Sequence, residues 1–278
     1  MKKIKITILI ISVFLSCFIS CANQAYPEVI HVVSTDYADL KTMERGSLDD
    51  LEVKVYETLP YDDYLCVVSK TNVYGNQAQA PQVVVNNERT TREHSYYGNN
   101  GYFIGRDYTE FASGITFFPF SGSQADQTGT SLPTGRCMAL LEPNNSGERC
   151  FAVTSWNYHD ISETANAVEI YELKFPTAEN PCYASEKVCH VASGENALAA
   201  TVCGDVIYVA TENSLYLVTS EYEVEEIEVS EKWGYLSVNS MVCIGDVLYI
   251  GTRFGVLTYD CIDDFFSWYP MNYSEHIK

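Results

Sequence analysis

Residues 156–166 gather Trp156, Tyr158, His159 and the carboxylates of Asp160 and Glu163 into eleven consecutive positions. Trp156 and Tyr158 offer flat apolar area with a polar edge beside the amides of Asn157 and Asn166. That combination suits stacking on a sugar or a peptide. The same stretch also reads as an ordinary wet surface loop. Arg106, with Asp107 beside it, and Arg253 are cations that could hold a carboxylate or sulfate through paired hydrogen bonds. Catalytic patterns are weaker. No G-x-S-x-G elbow occurs, and a serine cannot be matched to a histidine and a carboxylate without geometry. The chain has no C-x-x-C pair, its five histidines are scattered, and no calcium-loop pattern appears. Glycosidase carboxylates cannot be chosen among 37 acids, because their separation is a three-dimensional quantity. No catalytic residue, metal or cofactor is expected.

Lys plus Arg number 17 and Asp plus Glu 37, a net charge of −20 over 278 residues. Met1 to Lys5 is basic, and Ile6 to Ile19 is an almost unbroken apolar run. Spanning a bilayer takes about 20 such residues, so this run has the length of a signal core instead. Without Lys2, Lys3 and Lys5, 14 bases face 37 acids and the charge becomes −23. Such a field repels phosphate backbones, so no nucleic-acid partner is expected. The run ends in Phe18-Ile19-Ser20-Cys21, which resembles the lipobox of bacterial lipoproteins. Phe18 stands where that pattern usually has Leu, and Cys17 is a second candidate. The resemblance implies lipidation at Cys21, export and a membrane tether, with an ordinary cleaved signal as the alternative. Residues 1–21 are then signal, 22–50 a tether and partial first blade, and 51–278 the folded domain.

Eight cysteines follow Cys21, and eight allow on the order of a hundred pairings, so spacing assigns none. Cys182 and Cys189 flank a short polar stretch and form the pair to test first. Cys66, Cys203 and Cys243 lie in apolar runs and read as small buried hydrophobes.

Repeats set the fold class. Gly204-Asp205-Val206-Ile207-Tyr208-Val209-Ala210-Thr211 aligns without a gap on Gly245-Asp246-Val247-Leu248-Tyr249-Ile250-Gly251-Thr252, 41 residues on. Each continues into a second strand, Ser214–Val218 and Gly255–Asp260. A period near 40 with short strands is the pattern of a propeller blade. Weaker hairpins start at Tyr64, Gly101 and Cys150. First strands are expected at Leu51–Glu57, Thr91–Tyr97, Cys137–Leu141, Ala197–Val202 and Ser237–Val242. Glu221–Glu231 reads as a solvated outer strand, with a bulge at the doubled Glu225-Glu226. Tyr208 and Tyr249 should fill the same buried position between blades.

Val247–Asp260 resembles the propeller repeat in the sensor regions of two-component regulators, aromatic-I-G-T-x-x-G-L-x-x-aromatic-D. Val256 replaces the usual Leu. Val206–Val218 keeps only the Tyr-Val-Ala-Thr part and is about as similar to kelch repeats. The resemblance implies that the aromatic and glycine positions are structural. The expected fold is all-β, a β-propeller of about five four-stranded blades, with six blades or an incomplete ring as alternatives. Loops joining second to third strands, and each blade to the next, should open on one face. The hairpin alignment puts Lys70, Asp107, Ser155, Glu212 and Arg253 at one equivalent position there. The expected ligand site is Arg106, Asp107, Trp156, Tyr158, His159, Asp160 and Arg253. The expected function is non-enzymatic binding of a protein or glycan. A polysaccharide hydrolase or lyase, or a shortened relative of a sensor propeller, are the alternatives.

Overall fold

The computed structural model describes residues 65–70, 81–86, 92–107, 114–120, 132–133, 135–143, 149–155, 166–231, 233–253 and 255–270, all within the unit Thr35–Lys278. They form five antiparallel sheets in chain order and no α-helix. The first pairs β1 (Leu65–Lys70) with β2 (Pro81–Asn86). The second is β3 (Arg92–Tyr97), β4 (Gly101–Asp107) and β5 (Gly114–Pro119). The third holds β6 (Arg136–Leu141), β7 (Cys150–Ser155), β8 (Ala167–Lys174) and β9 (Ala184–Ser193). The fourth holds β10 (Ala197–Cys203), β11 (Val206–Thr211), β12 (Leu215–Val218) and β13 (Val224–Ile227). The fifth holds β14 (Ser240–Ile244), β15 (Val247–Gly251), β16 (Gly255–Asp260) and β17 (Phe265–Pro270). Every sheet is a meander.

Neighbouring sheets touch through their first strands. β3 lies against β6, β6 against β10, and β10 against β14, while β1 lies against β14, β15 and β16 of the fifth sheet. The first sheet is therefore neighbour to the last. This succession is a β-propeller, with five blades represented.

The core is a set of seams between blades. Phe103, Ile115 and Phe117 meet Cys137, Cys150, Ala152 and Leu173 between the second and third sheets. Phe151, Val153 and Ile170 meet Ile207, Val209 and Val218 between the third and fourth. Tyr208, Ala210 and Leu215 meet Leu248, Ile250 and Tyr259 between the fourth and fifth. Alternate side chains of one strand thus serve opposite seams, Ala152 one and Phe151 the other, as the pleat requires. This is why β7 is buried along its whole length and β11 along nearly all of it. A single blade has no core, so each depends on its neighbours.

Local chemistry explains the repeated hairpins. Gly204 and Gly245 sit at φ 59° and 63°, which the tight turn after the first strand demands and which glycine adopts without strain. Thr211 and Thr252, fully buried at the other end of the second strand, close the next turn. Thr211 Oγ1 donates to the Ser214 carbonyl at 3.0 Å, and Thr252 Oγ1 to that of Gly255 at 2.9 Å.

Several expectations are corrected. The fifth blade begins at Ser240 and not Ser237, because Ser237 takes a positive φ of 51° that ends the incoming connection. The outer strand of the fourth blade shrinks to Val224–Ile227, and its pairing with β12 runs unbroken. Glu225 and Glu226 are both exposed on an edge strand, so no bulge is needed to keep either out of the core. Tyr208 is buried, as expected, but Tyr249 is only half-buried. Cys203 and Cys243 are not separate hydrophobes: they form a disulfide between the first strands of the fourth and fifth blades, with Cα atoms 5.4 Å apart. Cys182 and Cys189 are free thiols. The side chain of Cys66 and the strand expected at Leu51–Glu57 lie outside the described residues.

Burial also sets a pH limit. It pushes the Cys137 thiol from 9.0 up to about 12 and raises that of Cys150 as well. An acid whose folded value is raised contributes stability that is complete below its unfolded value and lost as pH climbs past it. Thermal melts are therefore expected to hold steady to about pH 8.5 and fall above about pH 9, where unfolded thiols ionise. Cys137→Ala should flatten that slope. A slope unchanged in the variant would show that the thiol is not buried as described.

Candidate functional site

One end of the sheets carries the turns from second to third strand and the blade-to-blade connections. Hydrogen bonds knit them together. Gly194 N, in the connection from β9 to β10, donates to Asn166 O at 2.7 Å, at the end of the β7–β8 loop. Glu212 N donates to Asn196 O at 3.2 Å, and Arg253 N to Leu236 O at 2.9 Å.

Asp107 and Ser155 end their strands β4 and β7, and both reach the start of the next blade. Asp107 Oδ1 accepts from Arg136 Nε at 2.5 Å, at the first residue of β6. Ser155 Oγ accepts from Ala197 N at 3.1 Å, at the first residue of β10. Glu212, one residue past β11, instead accepts from Asn196 Nδ2 at 3.1 Å within its own blade. Arg253 lies half-buried in the β15–β16 turn. The equivalent position thus latches blades together at two of its occurrences.

Arg106 lies next to Asp107 on β4, and its Nε stands 3.0 Å from Glu93 Oε2, directly across on β3. This pair is partly exposed and worth about 0–1 kcal/mol. A ligand carboxylate would compete with Glu93 for the guanidinium. Arg106 and Arg253 belong to the second and fifth sheets. Trp156, Tyr158, His159, Asp160 and Cys21 lie outside the described residues.

The same end carries a feature that the sequence did not single out. An open cleft of ≈ 610 Å³ lies between the β11–β12 turn and the connection from β13 to β14, lined by Asn213, Ser214, Glu226, Glu228, Trp233 and Tyr235. Its size falls in the range of small-ligand sites. Trp233 anchors the connection: its ring is buried, and its Nε1 donates to the Thr211 carbonyl at 3.0 Å. The short 3-10 turn Trp233–Tyr235 then leaves Tyr235 59% exposed. Ser214 Oγ donates to Glu226 Oε1 at 2.5 Å, fixing one carboxylate in the wall. Behind it, Thr211 Oγ1 also contacts the Glu195 carboxylate, and Tyr216 OH donates to the other oxygen of that carboxylate at 3.3 Å. An exposed ring beside oriented acceptors can stack on a flat apolar face and take hydrogen bonds from hydroxyl or ammonium groups. Its signal was present in the sequence as Trp233-Gly234-Tyr235, but nothing there told a buried Trp from an exposed Tyr.

No family model matches the chain, and no curated protein matches it. Among solved structures the chain is similar to the glutaminyl cyclase of Myxococcus xanthus, at 11% identity and a TM-score of 0.33, over 60% of this chain and 65% of that one. The chain thus spans less than two thirds of the cyclase. It is also similar to an inactive virginiamycin B lyase from Staphylococcus aureus solved with quinupristin, at 9% identity and a TM-score of 0.34. That match covers 82% of this chain and 88% of the lyase. The propeller architecture of this chain rests on its own sheet order and seams.

Proposed function

We propose that the chain is an exported, lipid-tethered β-propeller that binds a protein or glycan on the face bearing the second-to-third-strand turns. The cleft between the β11–β12 turn of the fourth blade and the connection that leaves it carries this reading, because it joins an exposed Tyr235 to the oriented carboxylate of Glu226. Aromatic faces supply apolar contact at low entropic cost, and carboxylates accept hydrogen bonds from sugar hydroxyls. Trp156 and Tyr158, with Arg106 and Arg253, would extend the binding face toward acidic groups on the same ligand. The lipobox-like Ser20-Cys21 supports the tether, which would hold that face in the cell envelope.

An array of neutral and acidic glycans and peptides tests the reading. Binding is expected to fall at least about tenfold in Tyr235→Ala and in Trp156→Ala, in line with central aromatic anchors. Ligands held by the arginine side should weaken as salt rises. Unchanged binding in both variants, or ligands recovered chemically altered, would overturn it. The tether has its own readout: Cys21→Ser should leave the membrane fraction, and release by Cys17→Ser alone would move the lipidation site.

A further inference from the structure

The outer hairpin of the third blade contains an arrangement unrelated to the cleft. Across β8 and β9 the pairing runs Val168 to Ala192, Glu169 to His190, Ile170 to Cys189 and Tyr171 to Lys187. Val191 and Val188 are therefore extra residues, and two bulges bracket the Glu169–His190 pair. Bulges re-aim side chains and are common beside active sites. Here the first makes Val191 and Ala192 consecutive buried residues. His190, Lys187, Tyr171 and Glu169 consequently converge on one patch.

Ser193 and His190 stand at the distance of a nucleophile and its base, and the Glu169 carboxylate lies just beyond hydrogen-bond reach of the other ring nitrogen. His190 Nε2 lies 2.7 Å from Ser193 Oγ, and its Nδ1 lies 4.0 Å from Glu169 Oε1. Glu169, only 13% exposed, is itself fixed, since Tyr171 OH donates to Oε2 at 2.6 Å and Lys187 Nζ stands 3.0 Å from Oε1. Ser193 and His190 are open to solvent, and Ser193 ends β9 on the same face as the cleft. Bonds to a catalytic base are often long before substrate arrives, so 4.0 Å is compatible with that role.

We propose that Ser193, His190 and Glu169 form an acyl-transfer site, with Ser193 as nucleophile, His190 as base and Glu169 as a positioning residue. Ser193 Oγ attacks the carbonyl carbon of an ester and gives its proton to His190 Nε2. The bond to the leaving alcohol breaks, and the alcohol oxygen takes that proton from His190. Water then attacks the acyl-serine, again losing its proton to His190, and releases the carboxylic acid as Ser193 Oγ recovers its proton. The N–H of Gly194, next to the nucleophile, is committed to Asn166 O, which leaves the developing oxyanion to water. The substrate class is accordingly aryl and other activated acyl esters, whose leaving groups need little oxyanion stabilisation.

The test uses p-nitrophenyl acetate and a fluorophosphonate on the full chain, with the modified residue located by peptide mass spectrometry. Modification is expected at Ser193. His190→Gln should slow it by about a hundredfold, the lower range for loss of a general base. Glu169→Gln should lower kcat by about tenfold and leave KM unchanged, which a merely structural role would not do. Circular dichroism melts of the variants separate these losses from unfolding. Hydrolysis surviving Ser193→Ala, or label arriving at another residue at an equal rate in His190→Gln, would overturn the proposal. Ligand binding at the cleft is read separately in Tyr235→Ala, so either reading can fail without the other.

Discussion

Phe103→Ala is expected to destabilise the chain by about 3–5 kcal/mol, the range for deleting a fully buried aromatic side chain. Phe103 is completely buried between the second and third blades, with its ring centroid 4.8 Å from that of Phe175 and 5.1 Å from that of Phe117. Seams between rigid sheets collapse poorly around a void, which places this site toward the upper end of the range. Tyr208 is 5% exposed and holds the corresponding position one seam on from Phe151, so Tyr208→Ala should cost about 3 kcal/mol or more. The half-buried Tyr249 should cost less. Because Phe103 and Tyr208 serve different seams, their effects should add to within about 0.5 kcal/mol. Denaturant unfolding measures all of these, and a loss below about 1 kcal/mol at Phe103 would contradict the seam.

Gly105→Ala is the second large effect. A Cβ at this position would lie 2.2 Å from Cys137 Sγ and 2.9 Å from Cys137 Cβ. Neither atom is the free end of a long side chain, so β4 and β6 would have to separate. Overpacking of this kind costs about 1–3 kcal/mol, and the buried rigid setting favours the top of that range. Cys137→Gly on the Gly105→Ala background removes both clashing atoms. The double variant should be less destabilised than the sum of the single ones, and simple additivity would show that the two blades do not meet there.

The blades were legible because their determinants are local. Gly204-Asp205 and Gly245-Asp246 mark turns, and the apolar runs after them mark strands, so the hairpins from Tyr64, Gly101 and Cys150 could be aligned on the same pattern. Contacts that cross registers were not legible. Cys203 aligns with Ile244 in the repeat and Cys243 with Val202, so the disulfide joins non-equivalent positions, and no spacing rule selects it. Tyr208 and Tyr249 share a sequence environment, yet their burial is set by what the next blade presents. The bulges at Val188 and Val191 leave an ordinary strand-like pattern, so nothing in Lys187–Ser193 announced that His190 would meet both Glu169 and Ser193. The cleft depends on which way the Trp233–Tyr235 turn points its two rings. The aromatic loop after Ser155, the feature richest in chemistry, lies outside the described residues.

The bond between Cys203 and Cys243 closes a covalent loop 40 residues apart in sequence, worth about 4 kcal/mol by chain-entropy reasoning. That loop contains the whole connection from β13 to β14, in which Glu228, Glu231 and Tyr235 are exposed. A protease that cuts the connection at Glu228, Glu231 or Tyr235 would therefore leave no loose end of consequence. The last blade would stay fastened to its neighbour through sulfur, the seam of Tyr208, Leu248 and Tyr259 would keep its partners, and the nicked chain would part only when cleavage and reductant act together.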